Sequence, residues 1–341
     1  MMSMPRSTAP PEPSRSSSAL MRAARWHRPL MAVAALMVLC TVVCLVGLLL
    51  DPRQLLGANV WLKPLKFSLS IFIYSVTWAW LIAHLPRFQR TAHRAGTVIA
   101  IALAVEQAAI VGAAAAGITS HFNVSTAFST TLWSVMAVSI TILYLATFVT
   151  TVLLFWFRLP TRSLTIAVRA GAALALVGIG LAFLMTGPTA DQLNDFQGVA
   201  GAHTAGIDDG GPGLPLLGWS TVAGDLRIPH FVGMHALQVI PLFAISLVAL
   251  GRRVRLLADD RMRTHLVVVA TASFAATLTL LTAQALAGQS IVQPSGVFLV
   301  ASWAVVVATI VSTVVVLVLG RRRANQPHPE AADAPTIGMR S

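Results

Sequence analysis

Eight stretches of this sequence are each long and apolar enough to cross a lipid bilayer, and no other feature narrows the fold as much. They cover residues 30–50, 67–85, 96–116, 127–155, 164–185, 231–250, 265–287 and 297–319. At about 1.5 Å of rise per residue, a helix of ~20 apolar residues spans the ~30 Å hydrocarbon core. An all-α fold is therefore predicted, a polytopic transmembrane helix bundle of about eight spans. Only 11% of the 341 residues are charged, against about 25% in soluble domains, so lipid has to cover what charge cannot. The first run follows Arg22, Arg25 and Arg28 and outlasts a signal-peptide core, which predicts an uncleaved span. Residues 1–29 read as a disordered basic tail, 30–319 as the bundle and 320–341 as a cytoplasmic tail.

The basic residues orient this bundle. With the N-terminus inside, 20 of the 24 Lys and Arg fall in the inside segments, leaving Arg53, Lys63, Lys66 and Arg227 outside. That asymmetry predicts both termini in the cytoplasm. It also turns a net charge of +12 from a nucleic-acid signal into a membrane one, so no nucleic-acid partner is expected. Arginine supplies all but two of the basic residues, and alanine is heavily used, as in GC-rich bacterial genomes; the expected location is a bacterial inner membrane, with the bilayer as first partner. Cys40 and Cys44, one helical turn apart, read as packing rather than a disulfide.

Against that background the polar residues inside or beside the spans carry the functional argument. Glu106 lies near the centre of the third run, where a carboxylate is costly unless paired, protonated or facing water. It is a candidate catalytic or proton-coupling residue, with Gln238, Gln284 or the hydroxyls of span four as alternative structural partners. His121 follows fifteen residues on, about 22 Å along a regular helix, so the two meet only if the helix breaks near Gly117. Gly112 and Gly117 bound a small-residue surface suited to close helix packing.

A second polar group leads into span six. Asp225 is a candidate catalytic carboxylate, with the bland alternative that it pairs with Arg227 and anchors the loop. His235 and Gln238 share a helix face. His121, His230 and His235 are candidate ligands for a divalent metal such as zinc, which accepts imidazole and carboxylate donors; haem between two histidines is the lesser cofactor expectation. Lys63 and Lys66, the only lysines, and Asn123 complete the candidate pocket, with lipid snorkelling as the plain reading of the lysines. The outer connection 187–229 contains nine glycines; loops of that length are commonly functional or disordered, and this one is expected to fold back as a lid. Asp208-Asp209-Gly210-Gly211 reads as a turn cluster.

The motifs Trp61-Leu-Lys-Pro-Leu-Lys-Phe67, Glu106-Gln107 with Ser120-His-Phe-Asn123, and Asp209-Gly-Gly-Pro-Gly-Leu-Pro-Leu216 running on to His230–Gln238 resemble those of a family of bacterial polytopic membrane proteins. The resemblance covers roughly residues 57–250 and implies membrane topology without a reaction. Ala114 and Ala115 stand where that family has an Arg-Gly step, so an arginine partner for the glutamate is missing there. The inventory of His, Asp and Ser at one face is also similar to that of the seven-span zinc hydrolases of lipid amides, with different span number and spacing. Three functions are thus expected to compete: a metal-assisted membrane enzyme on a lipid or other amphipathic small molecule, a proton-coupled permease using Glu106, and a non-catalytic sensor or assembly subunit.

Overall fold

A computed structural model describes residues 23–324; the tails expected over residues 1–22 and 325–341 lie outside the described residues. The chain is all-α, as predicted from the apolar runs. Among the described residues, seven helices are long and apolar enough to cross a membrane. The pair Arg227–Met234 and Ala236–Leu250, bent by 43° at the break, makes an eighth if it forms one span. The sixth run was expected to be one continuous helix; it breaks at His235. Helix also begins at Arg28, inside the expected N-terminal tail, and continues to Ala324, past the expected end of the last span.

The chain divides into two compact units. The first holds helices α1 (Arg28–Leu50), α2 (Leu62–Ala83), α3 (Gln89–Ala116) and α4 (Ala127–Leu153), joined by residues 182–220 with the short helix α6 (Ala190–Asn194). Helix α1 starts where the His27 ring accepts the Leu30 N–H at 3.3 Å, which satisfies an otherwise orphaned donor. Between α1 and α2 lies a hairpin of two-residue strands, β1 (Gln54–Leu55) and β2 (Ala58–Asn59). Leu56 and Gly57 both take positive φ at its turn, as a two-residue primed turn requires. Helix α3 packs on α2 and α4, and α4 is capped by Thr126, whose hydroxyl accepts the Ser129 N–H at 3.1 Å.

The second unit holds α5 (Arg162–Gly180), α7 (Arg227–Met234), α8 (Ala236–Leu250), α9 (Asp260–Leu286) and α10 (Gly296–Ala324). Its apolar core joins Ala167, Ala236, Ile240, Ala244 and Val267. Glycine makes the tightest approach: a Cβ on Gly178 would lie 2.2 Å from the Gly233 carbonyl carbon, so α5 and α7 touch backbone to backbone. The expected small-residue contact at Gly112 in the first unit is not of this kind, since a Cβ there meets nothing within 4 Å; Ala113 and Ala114 are the buried neighbours.

Candidate functional site

The site is built by the reversal of the chain after α3. Gly117 takes the left-handed conformation, with φ of 69°. The Ile118 N–H returns to the Ala113 carbonyl at 3.0 Å, the helix-ending pattern that glycine favours. Arg53 ties this end down by donating to the Ala115 carbonyl at 3.0 Å while it pairs with Asp51 at 2.7 Å. Residues 118–126 therefore fold back along α3. His121 Nε2 comes to 3.6 Å from Glu106 Oε1, so the condition attached to their meeting, a helix break at Gly117, is fulfilled.

Two polar groups and three aromatic rings surround the His121 ring. Lys63 Nζ donates to Nδ1 at 3.0 Å and Ser120 Oγ reaches the same nitrogen at 3.0 Å. Ammonium is a donor without a lone pair, so Nδ1 accepts and the ring proton sits on Nε2, facing the carboxylate. Trp133, Phe122 and Phe67 surround the ring at centroid distances of 5.4, 5.9 and 6.1 Å. Phe122 holds φ of 64°, unusual for a bulky residue, and this places its ring between His121 and the loop. Glu106 is 4% exposed, and its Oε2 is among the buried polar atoms without a hydrogen-bond partner in the described residues.

Residues 182–220 fold back within this unit and cover residues 122–124. The Val124 N–H donates to the Gly198 carbonyl and the Ala200 N–H to the Phe122 carbonyl, both at 2.8 Å. Asn123 bridges Val199 and uses its side chain to accept from Ser125 at 2.7 Å, so it shapes the strap. Lys66 donates to the Leu217 carbonyl at 2.7 Å. Both lysines therefore turn to protein partners, in contrast to the lipid-snorkelling reading.

This cover brings in two residues that the sequence did not single out as site members. His203 stacks 4.8 Å from Phe122 and lies 6.4 Å from the His121 ring, centroid to centroid. Its Nδ1 donates to Asp209 Oδ2 at 2.5 Å. Asp209 also accepts from the His203 and Thr204 backbone N–H groups at 3.0 Å and from the Thr204 hydroxyl at 2.8 Å. Burial alone would raise the Asp209 carboxyl, but the hydrogen bonds and charge of His203, with the Thr204 hydroxyl, outweigh it and hold it below the usual carboxylate range. What reads as a turn cluster is the anchor of a histidine.

The remaining candidates lie in the second unit and serve it. Asp225 is 1% exposed and accepts from Arg227 Nη2 at 2.5 Å and Nε at 2.9 Å, so the bland pairing describes it and the catalytic assignment is withdrawn. His230 Nδ1 meets the Gly178 carbonyl at 2.8 Å. His235 Nδ1 faces Gln238 Oε1 at 3.3 Å, the shared helix face expected from their spacing, while Gln284 donates to the Ser290 carbonyl. Among the described residues no three His, Cys, Asp or Glu are grouped to hold a metal, so His121, His230 and His235 do not form the expected ligand set. Cys40 and Cys44 are free thiols.

Comparison with protein-family models, curated proteins and solved structures returned no match.

Proposed function

We propose that this chain is a proton-coupled permease of a bacterial inner membrane, with both termini cytoplasmic and Glu106 as its protonation site. The observation that carries this reading is the array Lys63–His121–Glu106. A carboxylate buried within a spanning helix is costly and by default functional, and here an imidazole links it to groups at the end of the span. His121 accepts at Nδ1 and presents a proton from Nε2. Uptake of a proton at Nδ1 from water, directly or relayed through Lys63 or Ser120, each reprotonated by water, allows Nε2–H to pass to the Glu106 carboxylate, leaving the imidazole in its other tautomer. The 3.6 Å separation exceeds a hydrogen bond, so transfer needs a small approach of the ring or one bridging water, as resting sites commonly do. Four of the chain's basic residues fall in connections on one side and the arginine-rich connections on the other, an asymmetry that supports an outer-face position for the array. The resemblance to bacterial polytopic membrane proteins fits the same setting.

A second reading has its own observation. Asp209 holds His203 through Nδ1, an arrangement that orients the other ring nitrogen as a general base, and the Phe122 ring lies 4.8 Å from the imidazole. That supports acid–base chemistry on an amphipathic molecule entering from the outer leaflet. Infrared titration of the protein in lipid nanodiscs separates the two. The permease reading expects a carboxyl band that titrates, disappears in Glu106→Gln and responds more slowly to a pH jump in His121→Ala. A wild-type spectrum identical to that of Glu106→Gln at every pH removes it.

A further inference from the structure

Six of the eight buried side-chain polar atoms without a hydrogen-bond partner in the described residues belong to α2, α3 and α4. They are Ser70 Oγ and Ser75 Oγ on α2, Glu106 Oε2 and Gln107 Oε1 on α3, Thr151 Oγ1 on α4, and Trp78 Nε1 on α2, which has the Tyr74 hydroxyl as its neighbour and so counts least. Buried polar atoms without partners are rare and call for an explanation such as bound water. Serine and threonine in a helix often satisfy themselves on a carbonyl one turn back, and Thr150 does so at 3.1 Å; Ser75 and Thr151 do not.

The atoms are also ordered along the helices. Gln107 Nε2 donates to Ser68 Oγ at 2.9 Å, so the level of Glu106 matches the first turns of α2. Ser68, Ser75 and Trp78 follow at spacings of seven and three, which keeps them on one face of α2. Tyr74 OH meets Thr147 Oγ1 at 2.6 Å and brings α4 to the same stretch. From Ser68 to Trp78 this polar face covers about 15 Å of helix, about half of a hydrocarbon core. Residues so deep in three adjacent spans, with polar atoms left over, fit a column of water better than dry packing.

We propose that α2, α3 and α4 enclose a hydrated seam running from Glu106 and Gln107 past Ser75 and Thr151 toward the far ends of these helices. Its ligands are water and the proton. This deepens the permease reading and rests on it for direction: a proton received at Glu106 Oε1 from His121 is turned toward the seam by rotation of the carboxyl group and released to water there, and the carboxylate returns. The titratable groups on these helices and on α1 beside them include Lys63 and Tyr74 on α2, Cys44 on α1, Glu106 on α3 and Tyr144 on α4, whose ring meets Phe183 edge to face. Beyond Glu106 on the outer side stand His121, His203 and Asp209. Toward the other end His27 and His93 stack at 4.3 Å, where α1 begins.

The test uses the full-length protein in nanodiscs with Cys40 and Cys44 replaced by Ala. Ser75→Cys and Thr151→Cys are treated separately with 2-aminoethyl methanethiosulfonate, a small water-borne thiol reagent. Ile73→Cys, at a position 42% exposed on the apolar surface of α2, is the control. A hydrated seam makes at least one of the two seam thiols react about tenfold or more faster than the control, because thiolate forms only where water reaches. Equal rates at both positions overturn the seam, and either position decides if the other variant does not fold. The Glu106 band is recorded in the same samples. A titrating band with unreactive thiols discards the seam and keeps Glu106 as the protonation site; reactive thiols without the band do the reverse.

Discussion

His121 Nε2 lies 3.6 Å from Glu106 Oε1, although fifteen residues of chain separate them. The contact exists because α3 stops at Gly117 and the following segment runs back along it. A carboxylate halfway down a span thereby gains a partner that would otherwise sit at the membrane surface. Lys63, on the first turn of α2, holds the other nitrogen of the same ring, so three separate pieces of chain fix one imidazole.

Gly117→Ala tests that reversal. An alanine Cβ would meet Arg53 Nη1 at 3.5 Å, an ordinary contact, so the cost comes from forcing an L side chain into φ of 69°. About 1–2 kcal/mol of destabilisation is expected, read as a lower melting temperature in detergent. His121 should at the same time become more reactive toward diethyl pyrocarbonate as its segment loosens.

Asp209 sets an acid limit on the cover. Its carboxyl is held below the ordinary value, so its contribution is complete above the unfolded pKa of about 3.9. That contribution disappears as pH falls through the lower folded value. Proteolysis within residues 187–220 should therefore be slow at neutral pH and rise only below about pH 4. Asp209→Asn should give faster cleavage already at neutral pH, because a half-buried carboxylate that accepts several hydrogen bonds is lost, at a cost of about 1–3 kcal/mol. Wild-type resistance in Asp209→Asn would contradict the anchoring role.

The two lysines should separate in function. Lys63→Met removes the donor at His121 Nδ1 and is expected to slow the pH-jump response of the Glu106 band by about tenfold or more. Lys66→Met removes the contact with the Leu217 carbonyl and leaves the donor at His121 in place, so the response should hold while cleavage near residue 217 accelerates. Lys63→Arg should not restore the wild-type rate, since a planar guanidinium does not replace a compact ammonium.

In the second unit, Gly178→Ala places a methyl group 2.2 Å from the Gly233 backbone. Neither helix has a flexible side chain to yield there, so destabilisation of about 1–3 kcal/mol is expected, measured as a lower unfolding temperature on size-exclusion analysis. Gly112→Ala, facing open space, should unfold like the wild type.

Much of this architecture was legible before any coordinates, because a bilayer imposes length and composition on every span. Glu106 was legible for the same reason: charge at that depth stands out. The meeting with His121 was not, since it depends on one residue leaving the right-handed helix, although a glycine after a run of alanines was the available cue. His203 escaped notice because nothing periodic marks a residue in a glycine-rich loop; only Asp209, six residues on, hinted at a partner. His230 and His235 attracted attention through their shared span, yet one ring is engaged by a backbone carbonyl and the other by Gln238. Histidines count toward a metal centre only when their rings point at one place, and spacing along a bent helix does not determine that.

The unit that carries the site is discontinuous in sequence, with α5 encoded between α4 and the cover. During synthesis Glu106 and His121 are therefore laid down well before His203 and Asp209 emerge. A nascent chain halted after α4 would hold the acid–base pair without its lid, and completion of the site has to wait until another membrane-crossing helix has been made. Assembly order at the ribosome thus keeps the covered centre unfinished until at least residue 209 has been translated.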